Sequence, residues 1–168
     1  MSYIYFYPER AFKLNPFENV KLETDVPTLH KLNVDARNLN EVKISLDGVI
    51  VAKVSEHDIW IKDIQINKKQ ISTFNWCFEV KTENSAYILK PVGDIDYTIN
   101  GDAVIKIISE CNENVLTRLF KKILRLKRHK SPNELYSDFI QVNFDEKRVD
   151  SLLAYCLLYK RVCFIYNN

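Results

Sequence analysis

Apolar and polar residues alternate with a period of two along most of this chain, and the rhythm changes only near its end. Tyr3, Tyr5 and Tyr7 alternate with Ile4 and Phe6, which predicts a first strand. Pro8, Pro16 and Pro27 punctuate the next stretch, so extended pieces and turns are expected there, with a short strand within Val26 to Val34. Val42 to Leu46 and Val49 to Val54 flank Asp47-Gly48, a two-residue hairpin signal because both turn positions need positive φ. Ile59 to Ile66 alternates but shifts face at one point, which reads as a bulge. Ile71 to Val80 and Ala86 to Pro91 form the next pair, joined through Thr82, Glu83 and Asn84. Asp96 to Ile99 and Asp102 to Ser109 flank a second hairpin signal, Asn100-Gly101. Strands at this regular spacing predict an antiparallel meander that closes as a barrel or sandwich.

The period then lengthens. Asn112 and Asn114 are helix caps by residue type, and Val115, Leu116, Leu119, Phe120, Ile123 and Leu124 recur at helical spacing. This predicts a basic amphipathic helix over about residues 112–130. Ser131-Pro132-Asn133-Glu134 has the form of a capping box with proline at the first helical position. Ile140, Val142 and Phe144 alternate again as a strand. Glu146 to Lys160 reads as a second helix, apolar throughout Leu152 to Tyr159, and Val162 to Tyr166 as a strand after it. A helix without a polar face must be surrounded. This one is shorter than the roughly 20 residues that cross a bilayer. The strands before it therefore have to wrap it. With no repeat and no linker, residues 1–168 are expected to form one domain.

Composition adds three constraints. The four cysteines, Cys77, Cys111, Cys156 and Cys163, make no CxxC pair, and three lie in apolar runs, which suits free thiols in a reducing compartment. The first residues lack a basic region followed by a long apolar stretch, so no signal peptide and a cytoplasmic location are expected. The net charge of +2 is unevenly spread. Arg118, Lys121, Lys122, Arg125, Lys127, Arg128 and Lys130 come without an intervening acid, leaving the rest of the chain at −5 (+2 less 7).

Little in the sequence points to catalysis. His30, His57 and His129 stand in no metal-ligand spacing, so neither a metal nor a cofactor is expected. His57 beside Asp58 could orient an imidazole toward Cys77 as nucleophile, but Cys77 sits in Phe74 to Phe78, which reads as core. No P-loop, GxGxxG or GxSxG occurs. The basic helix is the candidate binding element. Its charges suit an anionic membrane surface or an acidic protein partner, or simply a solvated face. Nucleic acid fits less well, since no aromatic residue interleaves with the charges after Phe120.

The order of elements resembles the tubby C-terminal-like superfamily, which includes the phospholipid scramblases. The resemblance is carried by the strand Phe139-Ile140-Gln141-Val142-Asn143-Phe144, by Asp145 and Asp150, and by the helix Leu152 to Leu158 with Val162 to Tyr166 after it. The hairpin pattern extends it over roughly residues 40–168. It implies a closed antiparallel β-barrel of about a dozen strands threaded by the hydrophobic C-terminal helix. It further implies a non-catalytic binding protein that engages an anionic lipid head group or a protein partner, peripheral at the membrane. The basic helix is not part of that pattern. The alternative is a small interaction or immunity-type protein that meets an acidic partner with the same basic surface.

Overall fold

The computed structural model describes residues 1–6, 22–35, 38, 40–73, 75–93, 96–110 and 139–160. The basic helix over 112–130, the capping box at Ser131, the strand from Val162 to Tyr166, and Cys111, Cys163 and His129 all lie outside these residues.

The described residues are mainly β. The strands are β1 (Ser2–Phe6), β2 (Leu22–Thr24), β3 (Leu32–Asp35), β4 (Glu41–Leu46), β5 (Val49–Ser55) and β6 (Ile59–Ile61). They continue with β7 (Gln65–Gln70), β8 (Trp76–Lys81), β9 (Ala86–Val92), β10 (Asp96–Ile99), β11 (Asp102–Glu110) and β12 (Phe139–Phe144). A 3-10 turn, Pro27–Lys31, precedes β3, and one α-helix, α1 (Ser151–Lys160), follows β12. Every pairing among them is antiparallel. Eight strands run in the order β2-β1-β12-β11-β10-β9-β8-β7, and four in the order β3-β4-β5-β6. Among these strands only β12 against β1 departs from pairing between neighbours in sequence.

Both hairpin signals form as the residue types require. Asp47 and Gly48 have φ of 51° and 79°, and Asn100 and Gly101 have 52° and 85°. Two consecutive positive φ values define the turn whose twist matches that of the flanking strands. The shift of face within Ile59 to Ile66 is not a bulge. The chain turns a corner at Lys62-Asp63, with Asp63 at φ 64°, and passes from β6 in one sheet to β7 in the other. A single bridge, Ile61 to Ile64, spans that corner. The register does shift between Ile44 and Ser45 and between Tyr97 and Thr98. The run from Ile71 to Val80 is likewise not one strand. Ile71 and Ser72 donate to the Asn75 carbonyl at 2.8 and 3.1 Å, and β8 begins only at Trp76.

The final helix covers its whole apolar run but begins at Ser151, five residues after the expected Glu146. After β12 the Asp145 carbonyl accepts from Arg148 and Val149 at 3.0 and 2.9 Å, and its side chain accepts from Lys147 at 3.1 Å, closing a turn. Asp150 then caps α1, its carboxylate accepting from Leu152 N–H at 2.9 Å. Two aspartates five residues apart each satisfy free amides, so the lead-in is a capped turn and the helix starts at Ser151.

From Leu153 to Tyr159 every side chain of α1 is buried. The helix contacts β5 and β6 of the smaller sheet, β12 of the larger, and the 3-10 turn. Inward residues of both sheets meet it in one cluster that includes Ile4, Ile44, Val54, Phe78, Leu89 and Val142. Full burial of each such side chain stabilises by about 1.5–3 kcal/mol. Neither hydrogen-bonded sheet closes into a barrel, because the ladder stops at the β6–β7 corner and the 3-10 turn replaces pairing between β2 and β3. Among the described residues no helix is long and apolar enough to cross a membrane.

Candidate functional site

The seven basic residues singled out from the sequence, Arg118 to Lys130, lie outside the described residues. Four other features carry chemistry on the described surface.

The first is a groove of about 550 Å³ on the outer face of β7 to β10. Period two along β8 sends Phe78 and Val80 inward and Cys77 and Glu79 outward. Register then fixes the neighbours, Lys69 opposite Cys77, Ile88 opposite Glu79, and Thr98 opposite Lys90. Lys69 pairs with Glu79 at 3.4 Å. An exposed pair of this kind contributes at most about 1 kcal/mol. Lys90 lines the groove with no ion pair among the described residues. Ile71 and Ile88 border it and are 52% and 54% exposed. Cys77 is buried, as its apolar context suggests, but it lines this groove and stands apart from the core cluster. Alternation, not local hydrophobicity, decides which way a strand residue points.

The second feature crosses the smaller sheet. Asp35 lies directly opposite Lys43, Lys43 directly opposite Lys53, and Lys53 directly opposite Trp60. Flanking Val42, Ile44, Ala52 and Val54 are buried, so this row faces outward. Lys53 Nζ sits 5.6 Å from the Trp60 ring centre, and Trp60 is 47% exposed. Like charges directly opposite each other on a sheet destabilise it. Alternation along the chain reveals these strands but not the row, because strand partners show only once register is known.

The third is the end of α1. Lys160 Nζ is buried without a hydrogen-bond partner, 5.4 Å from the Trp76 ring and 5.3 Å from Phe78. Lys68 Nζ stands 4.8 Å over the same Trp76 ring. Burial, with the Lys68 charge adding to it, brings the Lys160 amine down to about 8, and Asp58 and Glu56 offset part of the effect. Each cation–π contact is worth about 0.5–2 kcal/mol, less than burying an unpaired ammonium costs.

The fourth is a shallow depression of about 480 Å³ between the β6–β7 corner, the β8–β9 turn and the lead-in to α1. Acids and bases mix there, among them Asp63, Glu83, Lys147 and Asp150. At its wall the Tyr87 hydroxyl is buried without a bonding partner, and burial pushes its pKa up to about 12; the Asp150 backbone beside it offsets part of the shift. Arg148 anchors the segment, donating to Asp102 and to the Ile99 carbonyl, each at 3.3 Å.

The two described histidines, His30 and His57, take no common site. A ring nitrogen of His30 bonds the Thr24 carbonyl at 2.9 Å, and His57 stands 3.8 Å from the Glu56 carboxylate in the exposed turn after β5. The groove that holds Cys77 is lined by no histidine among the described residues. Nor do any three His, Cys, Asp or Glu side chains among them gather as a metal site. No protein-family model, no curated protein and no solved structure matches this chain.

Proposed function

We propose that the chain is a non-catalytic binding protein on a tubby-like closed barrel, and that it engages the anionic head groups of a membrane surface. The enclosed helix supports the barrel reading. α1 touches both sheets, and the chain runs from β6 to β7 without leaving the wall, so the two sheets continue one another around it. The observation that carries the ligand is the row Lys43, Lys53, Trp60. Asp35 faces Lys43 from β3, so it is Lys53 that an external anion would serve, and the half-exposed tryptophan beside it suits the head-group layer of a bilayer. Arg118, Lys121, Lys122, Arg125, Lys127, Arg128 and Lys130 supply further positive charge, each residue near such a surface adding about 1 kcal/mol. The reading carries with it a cytoplasmic protein, peripheral at the membrane.

Co-sedimentation with phosphatidylserine vesicles tests this. Binding is expected at low salt, weakening as salt shortens the reach of each charge to about 8 Å at physiological strength. Trp60 emission should shift to the blue on binding, with Trp60→Phe as the control that removes the signal. Lys53→Gln should weaken binding most, changing Lys121, Lys122, Arg125 and Arg128 to Gln should weaken it further, and both should leave the melting temperature nearly unchanged. If anionic vesicles are ignored even at low salt, the membrane reading fails and an acidic protein partner takes its place.

A further inference from the structure

The groove over β7 to β10 has a composition that the membrane reading does not use. It holds two ammonium groups and one carboxylate, Lys69, Lys90 and Glu79, and therefore one net positive charge. Lys69 and Glu79 already meet at 3.4 Å, which leaves Lys90 as the cation without an ion pair among the described residues. Two isoleucines, Ile71 and Ile88, stand more than half exposed at its border. They give the groove an apolar border beside its polar groups, the mixed lining of small-molecule sites. The floor is the Cys77 side chain, which is only 3% exposed and which projects away from the core.

We infer that this groove is a binding site for a small monoanionic amphiphile, a carboxylate carried on an apolar body. The carboxylate matches the ammonium of Lys90, the groove cation with no ion pair among the described residues, because a charge-assisted hydrogen bond to a carboxylate is among the stronger polar contacts a protein makes. A dianionic phosphate group would leave one negative charge unmatched beside Glu79. The apolar body lies along Ile71 and Ile88, removing from water the surface that the sheet leaves open. A volume of about 550 Å³ lies within the range of small-molecule sites. The site is independent of the vesicle surface proposed above.

Decanoate below its micellar concentration is the probe, with the full chain. Calorimetry should show saturable binding at one site. Cys77 reports the location, since a ligand lying over it shields its thiol; a thiol reagent followed by peptide mass mapping reads its labelling rate apart from those of the other cysteines. Saturating decanoate is expected to slow Cys77 labelling at least about fivefold and to leave Cys156, buried inside α1, as it was. Lys90→Gln should weaken decanoate at least about tenfold, the loss expected of one charge-assisted contact. Lys43→Gln, on the other sheet, should not change it. Decylamine should neither bind nor protect. The inference is overturned if decanoate does not bind, if it binds and Cys77 labels at its free rate, if Lys90→Gln binds equally well, or if decylamine protects as well as decanoate. Vesicle binding should be the same for Lys90→Gln and wild type, so failure here and failure of the membrane reading are separate results.

Discussion

Lys160 shows how one residue records its surroundings. Its ordinary pKa of 10.5 falls to about 8 because the amine is buried and Lys68 stands close. Below pH 8 the amine is charged in both folded and unfolded chains, and folding carries the full cost of burying it. Between pH 8 and 10.5 the folded amine is neutral while the unfolded one still binds a proton, so this contribution to stability improves as pH rises. Lys160→Met removes the cost. The variant should unfold at higher denaturant than wild type at pH 7, by about 1–2 kcal/mol after allowing for the partial exposure of the group. The gap should shrink between pH 8 and 10. The Cys156 thiol, raised by burial above its ordinary 9.0, and the Tyr87 and Tyr155 phenols, raised to about 12, act in the opposite sense at higher pH. They are present in both proteins and cancel in the difference. A gap that stays constant from pH 6 to 10 would remove the assignment. Asp150 gives a second test at this scale. Asp150→Ala loses the cap of α1 and should cost about 1 kcal/mol in chemical denaturation.

At the scale of elements, the turns carry the most local information. Gly101 has φ of 85°, and a Cβ added there meets nothing within 4 Å. Gly101→Ala should therefore cost about 1 kcal/mol through backbone strain alone, with no steric cost to add, and a melt of the variant measures it. Asn-Gly and Asp-Gly made these two turns legible from the sequence, because so few residues tolerate two positive φ values in succession. Alternation made most strands legible as well. It failed where one apolar period ran across a corner, as in Ile59 to Ile66, since a tight turn and a bulge both reverse the face of the next residue. It also overran at Ile71, where apolar Ile71 and Phe74 hid a turn built from backbone bonds to Asn75, although Ser72 and Asn75 are turn-favouring types. The groove at Cys77 and the row at Trp60 were illegible for a different reason. Each is made by residues on separate strands, and only register brings them together.

For the whole molecule the decisive element is α1. It contributes seven consecutive buried side chains to a core shared by both sheets. Leu153→Asp would bury an unpaired charge at a cost of several kcal/mol, against a total stability of about 5–15 kcal/mol for a domain. The variant should be insoluble or unfolded; a soluble form with a cooperative melt would show that the sheets hold together without the helix. The enclosure of this helix was legible from its unbroken apolar run, because no other environment was open to so short a segment. Whether the wall around it closes was not, since closure depends on pairing across the corner at Lys62-Asp63.

The pairing of β1 with β12 sets the order in which the chain can become a protein. Ser2 meets Phe144 and Phe6 meets Ile140, so β1 has a partner that emerges only after some 130 further residues. The β3 to β6 meander, by contrast, needs only its own neighbours and can assemble while synthesis continues. Until β12 and α1 appear, the apolar faces of both sheets lack the helix that fills the core between them. The nascent chain is thus a set of hairpins awaiting a core, and release before residue 139 should yield an aggregate rather than a smaller fold. Expressing chains that stop at 138 and at 160 and comparing their solubility would time that last event.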